Sequence, residues 1–153
     1  MVSPLPLALT LGEPAGIGPD ISLLAWQRRE PGGVFLVIGD RECLARRARL
    51  IGADVPLAAI AGPGEAAALF VEALPVLDQP LKAQPVPGTL DPAAAPGVVG
   101  AIETAVALAL EGTIAGIVTN PIHKDALYRT GFAHQGHTDF LAHIAQAAGR
   151  PAE

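Results

Sequence analysis

Cysteine is almost missing from this chain. Cys43 is the sole one in 153 residues, so no disulfide can close within it, and that fits a reducing compartment. Aromatic residues are scarce at 4%, although half of the chain is hydrophobic. The core must therefore be built from Ala, Val, Leu and Ile, and small side chains of that kind let helices lie close to a sheet. Basic residues are in the minority, 10 Lys and Arg against 15 Asp and Glu, for a formal charge of −5. That balance argues against a general nucleic-acid binder, because a phosphate backbone demands a basic surface. Long apolar runs are lacking as well. The opening MVSPLPLALTLGEP has no basic leader and is broken by proline, unlike a signal peptide, and residues 101–119 are interrupted by Glu103 and Glu111, unlike a membrane span. A soluble, cytoplasmic protein without nucleic-acid or membrane partners is the expectation.

Turn chemistry is what the chain has in quantity: 17 Gly and 15 Pro make up about a fifth of it, short of the ~25–30% of low-complexity chains. Its length suits one domain with a real core. Residues 10–20 read TLGEPAGIGPD. Leu5 to Leu11 predicts a buried strand, Gly12, Pro14, Gly16 and Gly18 a bend, and Pro19 the first position of a helix whose first turn holds Asp20. A strand, glycine bend and helix start leave backbone N–H groups free to face an anion or a substrate. The alternative is a tight connection made of glycine for steric reasons. Either way the glycines are expected to need positive φ or close backbone approach.

Residues 34–38 (VFLVI) predict a second strand, and DRECLARRARLIG a helix with Asp40 as N-cap and Gly52 past its end. Arg41, Arg46, Arg47 and Arg49 are expected on its exposed face, with a phosphate site as the competing reading. Further elements are a strand over 55–60, a short Ala-rich helix over 65–70 and a strand over 74–77. Residues 78–97 are proline-rich and without period, a long loop or arm. From Val98 the pattern turns helical, with Val98, Val99, Ile102, Val106, Ala109 and Leu110 on one stripe up to Gly112, and IAGIVT (114–119) reads as a fully buried strand. Continuous apolar strands alternating with helices call for a parallel sheet covered on both faces.

Chemistry-bearing residues concentrate after that strand. Thr119, Asn120, His123 and Lys124 fall beyond its carboxyl end, where ligands of open α/β sheets bind. All four histidines, His123, His134, His137 and His143, lie within 21 residues. His134 and His137 have an HxxH spacing that zinc can use, but Gly136 interrupts a regular helix there and no thiol or carboxylate pattern completes a closed set. His143 reads as a surface or interface residue of a helix over 139–148, which Gly149 and Pro151 terminate. Lys124 is either a surface lysine at a helix start or a substrate contact. In Gly136-His137-Thr138 the glycine brings backbone close, Thr138 can cap the following helix and His137 can hydrogen-bond a polar substrate.

Taken together, TLGEPAGIGPD, TNPIHKDAL and GHTDFLA resemble the N-terminal half of the 4-hydroxythreonine-4-phosphate dehydrogenases of pyridoxal phosphate synthesis. The resemblance runs in order along essentially the whole chain. It implies an α/β fold like that of isopropylmalate dehydrogenase: a three-layer α/β/α sandwich on a mostly parallel sheet, of which this chain is the N-terminal part, with the active site at a homodimer interface. It implies oxidation of a small phosphorylated hydroxy amino acid, 4-phosphooxy-L-threonine, by NAD or NADP, then loss of CO2 from the keto acid. A divalent metal (zinc, magnesium or cobalt) would act as Lewis acid from ligands beyond this chain. His137 and Thr138 match the family's substrate-binding pair; Thr119, His123 and Lys124 are candidates for lining the site; no catalytic or metal-binding residue is carried over. Asn120 departs from the family pattern, which usually has a small residue there. Gly16-x-Gly18 is no dinucleotide fingerprint, since Ile21 stands where the third glycine belongs. The 153 residues alone are expected to be inert. The competing readings are a paralogue acting on a phosphorylated sugar acid, such as 4-phosphoerythronate or threonate, and a non-catalytic α/β ligand-binding module.

Overall fold

The computed structural model describes residues 4–149. Five short strands, β1 (Leu7–Thr10), β2 (Phe35–Gly39), β3 (Leu57–Ala59), β4 (Leu74–Asp78) and β5 (Gly116–Thr119), form one sheet in the order β3-β4-β2-β1-β5, with all four pairings parallel. Six helices join or follow them: α1 (Gly18–Gln27), α2 (Arg41–Ile51), α3 (Ala66–Leu69), α4 (Ala95–Glu111), α5 (Lys124–Tyr128) and α6 (His137–Ala147). Crossovers between parallel strands are right-handed, so the direction of travel decides which face a helix covers. The steps β1→β2 and β2→β3 run one way and put α1 and α2 on one face. The steps β3→β4 and β4→β5 run back and put α3 and α4 on the other. The result is the expected three-layer α/β/α sandwich.

Each layer boundary is a separate apolar cluster. Leu9, Leu11, Leu23, Trp26, Val37, Leu44, Leu74 and Val76 fill the space under α1 and α2. Ala8, Leu36, Ile38, Ala66, Ala101, Ala105 and Ile114 fill the one under α3 and α4. Trp26 spans the first layer, donating its indole N–H to the Phe70 carbonyl at 2.9 Å while the Arg29 guanidinium stacks 3.6 Å from its ring. The alanines of α4 are the device anticipated from composition: at Ala101 and Ala105, exposed by 2% and 0%, the helix sits close on the strands.

Three expectations need correction. The last strand is not fully buried: β5 is an edge strand with Val118 46% exposed, beside an apolar groove of about 350 Å³ that Leu7, Ile21 and Phe35 also line. Of residues 78–97, those over 79–91 form a loop held against the body of the fold, and the end of the segment is helical. Asp40 holds the segment with one carboxylate oxygen, which accepts from Leu81 N at 2.8 Å and Gln84 Nε2 at 3.0 Å, and Gly88 N donates to the Ala15 carbonyl at 2.8 Å. The helix begins at Ala95, after a 3-10 turn at Pro92–Ala94 that the Asp91 side chain caps. Third, Arg47 is buried, not solvated. Pro151 lies outside the described residues; within them α6 ends at Ala147, and Gly149 has φ +75°.

Candidate functional site

β1 and β5 are neighbours whose continuations diverge. The chain leaves β1 for α1 on one face and β5 for α5 on the other, where Leu127 packs against Ala95 and Val98 of α4. In open α/β sheets ligands bind outside the carboxyl ends of strands at such a divergence. Thr10 and Thr119 face each other there as register partners. Thr10 is only 1% exposed, and its hydroxyl has no hydrogen-bond partner.

The turn between β1 and α1 is fastened from several sides. Glu13 N donates to the Pro121 carbonyl at 2.9 Å, so the turn is tied to the loop after β5. Asn120, 2% exposed, donates through Nδ2 to the Gly18 carbonyl (3.2 Å) and to Ser22 Oγ (2.9 Å). From α2, Arg47 donates to the carbonyls of Gly16 (2.7 Å) and Pro14 (3.1 Å) and pairs with the Asp20 carboxylate. The turn's own amides are engaged as well: Ala15 N donates to Glu13 Oε1 and Gly16 N to the Glu13 carbonyl, each at 3.0 Å. Of the two readings of GEPAGIGPD, the tight connection holds for these amides. A Cβ on Gly18 would stand 2.0 Å from the Leu11 carbonyl oxygen, and Gly12 combines φ +74° with a Cβ position 2.5 Å from the Pro121 oxygen. Gly16 is less constrained.

Beyond Asn120 the chain makes two helix starts. His123 is the N-cap of α5, its Nδ1 accepting from Ala126 N at 3.4 Å, and its ring is exposed. Lys124, the next residue, is exposed too, yet its side chain reaches the start of α6. Cε and Nζ lie 3.7 and 3.9 Å from the Cβ position of Gly136. Gly136 is the N-cap of α6, so Thr138 stands inside the helix and does not cap it. Asp139 closes the turn instead, accepting from Gln135 N at 3.1 Å. His137 is partly buried with a fully buried, unpartnered Nε2, and burial pushes its pKa below the ordinary 6.5. A neutral imidazole that can donate or accept one hydrogen bond is the consequence.

Thus Lys124, His137 and Thr138 come together at one helix start, while Thr119 pairs with Thr10 at the strand edge and His123 caps α5. The HxxH spacing converges on nothing: His134 Nδ1 lies 3.3 Å from Asp139 Oδ2, and its ring packs on Phe140 and His143, centroids 4.9 and 4.8 Å away. Among the described residues no group of three His, Cys, Asp or Glu side chains could hold a metal ion. Cys43 is buried, and burial first and Asp40 second push its thiol up to about 12, which disfavours the thiolate.

Sequence reasoning missed Arg47, Asp20 as its partner, and the fastening role of Asn120. Arg47 was legible. It lies four residues after Cys43 and three after Leu44, on the stripe that also buries Ala48. Nothing local marked Asn120, whose partners are about a hundred residues away.

A family model described as "Pyridoxal phosphate biosynthetic protein PdxA" matches residues 33–151. The 4-hydroxythreonine-4-phosphate dehydrogenase of Xanthobacter autotrophicus is 51% identical over 99% of this chain and 44% of its own length; that of Bradyrhizobium diazoefficiens is 46% identical over 95% and 45%. The crystal structure of the Klebsiella pneumoniae 4-hydroxythreonine-4-phosphate dehydrogenase superimposes with a TM-score of 0.79 at 33% identity, covering 93% of this chain and 45% of that one. A terephthalate 1,2-cis-dihydrodiol dehydrogenase from Burkholderia xenovorans superimposes with a TM-score of 0.71 at 25% identity, over 97% and 42%. The chain therefore spans less than half the length of these relatives.

Proposed function

Because the chain belongs to the PdxA family of pyridoxal phosphate biosynthetic proteins, we propose that it is the N-terminal portion of a 4-hydroxythreonine-4-phosphate dehydrogenase and supplies one wall of its substrate site. The reaction removes a hydride from the substrate's secondary alcohol to NAD or NADP, releases the hydroxyl proton, and leaves a 3-keto acid that loses CO2. The observation that carries the reading is His137, the residue of the GHT motif, which stands at a helix start beyond the β1/β5 divergence with a buried ring nitrogen and no partner. A neutral imidazole there can hydrogen-bond a substrate oxygen without competing for its charge, and the Thr138 hydroxyl is exposed beside it.

Among the described residues no group of three His, Cys, Asp or Glu side chains could hold a metal ion, and in this reading the divalent metal takes its ligands from the longer protein. In the opening turn the amides of Ala15 and Gly16 already have acceptors within the turn, so those two are not offered to a cofactor. A homodimer completes the site in this reading, and the 153 residues alone turn over no substrate.

The test is NADH absorbance with NAD, a divalent metal and 4-phosphooxy-L-threonine, using the longer protein that carries this chain. His137→Ala should lower kcat/KM by the equivalent of about 1–3 kcal/mol, the range for a buried polar group left unpaired. Unchanged kcat/KM would overturn the role given to His137, and sustained turnover by the 153 residues alone would overturn the incompleteness of this chain and the placement of the metal ligands outside it. A related diol acid is the second substrate reading, favoured by the likeness to the terephthalate dihydrodiol dehydrogenase; profiling both substrate types on the same protein separates the two.

A further inference from the structure

The outer face of α4 and the loop over 130–134 border an open cavity of about 500 Å³, whose lining includes none of Lys124, His137 and Thr138. Its volume falls within the roughly 300–1,000 Å³ of small-molecule sites. α4 contributes Ala95, Val99 and Glu103, spaced by four and therefore on one face. The loop contributes Thr130, Phe132 and His134, and α6 adds Phe140. The three rings stand together, the Phe132 centroid 5.0 Å from that of Phe140 and 5.2 Å from that of His134, and they form one aromatic wall.

The polar side chains of this lining offer acceptors and no free donor. Glu103 is exposed, and among the described residues neither a hydrogen bond nor an ion pair engages its carboxylate. Thr130 gives its hydroxyl proton to the Leu127 carbonyl at 2.7 Å, which leaves its oxygen with lone pairs only. His134 holds Nδ1 3.3 Å from Asp139 Oδ2, so the neutral ring keeps its proton there and Nε2 is the acceptor. Neither lysine nor arginine lines the cavity. A carboxylate, two neutral acceptors and an aromatic wall share one complement, a cation that carries its own N–H donors. An anion would meet the charge of Glu103, and a neutral apolar molecule would displace water from the acceptors and offer no donor in its place.

We propose that this cavity is a binding site for a free primary alkylamine, with the ammonium between Glu103 and the wall of Phe132 and His134 and the alkyl chain over Val99. The site is separate from the one proposed for the dehydrogenase substrate and does not depend on that reading. A primary ammonium is favoured over a quaternary one, because only the primary one brings donors to Thr130 and His134. A lysine side chain of a partner presents the same chemistry, but the cavity has room for a whole small molecule.

The experiment is a titration of this 153-residue chain with butylammonium chloride at about pH 8, above the ordinary histidine range, followed by amide shifts in nitrogen-15 NMR. Butylammonium should shift Val99, Glu103, Thr130 and Phe132 saturably in the millimolar range. Butanol, its neutral isostere, and tetramethylammonium should each bind at least about threefold more weakly. Glu103→Gln should weaken binding about fivefold or more with the rest of the spectrum intact, and Phe132→Leu about threefold. Glu111→Gln removes a carboxylate at the far end of α4 and should leave the affinity within about twofold. Butanol matching butylammonium, equal affinity in Glu103→Gln, or shifts centred elsewhere would each overturn the proposal. Nα-acetyl-lysinamide binding more than about tenfold tighter than butylammonium would overturn the assignment to a free amine.

Discussion

Arg47 of α2 and Asp20 of α1 form a partly buried ion pair that joins the two helices of one face across the turn between β1 and α1. The guanidinium is 6% exposed and also holds the carbonyls of Pro14 and Gly16. Removing one partner leaves a charge and two carbonyl oxygens uncompensated. Arg47→Ala should destabilise the chain by about 3–5 kcal/mol, as breaking a buried pair does. Arg46→Ala, on the same helix with its side chain 56% exposed, should change stability by less than about 0.5 kcal/mol. Urea unfolding of both variants checks this, and equal midpoints would contradict a clamp.

Gly18 and Gly12 should be the intolerant glycines of the opening turn. Gly18→Ala places a methyl group 2.0 Å from a backbone oxygen that cannot swing aside, and Gly12→Ala adds left-handed strain of about 1–3 kcal/mol to a similar collision. Gly64→Ala, with nothing within 4 Å of its Cβ position, is the control and should stay near neutral. Melting temperatures that fail to separate the two kinds of variant would show the turn to be an adaptable connection.

A pH dependence follows from His137. Its folded pKa lies below the unfolded 6.5, so the unfolded chain binds the proton more readily. The contribution of the neutral ring is complete above about pH 6.5 and is lost as pH falls through the folded value. Stability should decline on acidification, and His137→Gln should flatten that limb. Tracking the His137 ring shifts by NMR checks the cause, and a midpoint at or above 6.5 would refute it.

Asp40 links the N-cap of α2 to the proline-rich segment: one carboxylate oxygen accepts from Cys43 N at 2.9 Å, the other from Leu81 N and Gln84 Nε2. Asp40→Ala should lose about 1 kcal/mol for the cap and should release residues 79–91 as well. Amide exchange in that segment should quicken more than in β3 or β4. Uniform quickening would mean that the carboxylate acts through the helix alone.

The layers of this fold were readable in the sequence because its strands are uninterrupted apolar runs and its helix ends carry explicit signals, Asp40 before α2 and Gly52 and Gly112 after α2 and α4. Strand order is a long-range property that no local run encodes: the apolar run of 114–119 predicts burial, and among the described residues β5 stands at the edge of the sheet. At the candidate site, the GHT motif located His137, but the approach of Lys124 to Gly136 depends on how the loop over 129–136 folds back. Arg47 misled through its type: arginine is presumed solvated, and only its place on the stripe with Cys43, Leu44 and Ala48 says otherwise.

The register of β1 against β5 also bears on the order in which the protein assembles. Leu7 and Gly116 are paired although more than a hundred residues separate them, whereas β1 with β2, β2 with β4 and β3 with β4 each close far shorter loops. Closure entropy grows with loop length, and non-local pairing slows folding. On that ground β1 to β4 are expected to pair before β5, whose docking brings Asn120 and Pro121 onto the opening turn. The β1/β5 pairing and the ties of residues 120–121 to the opening turn should therefore exchange their amide protons sooner than the pairing of β2 with β4.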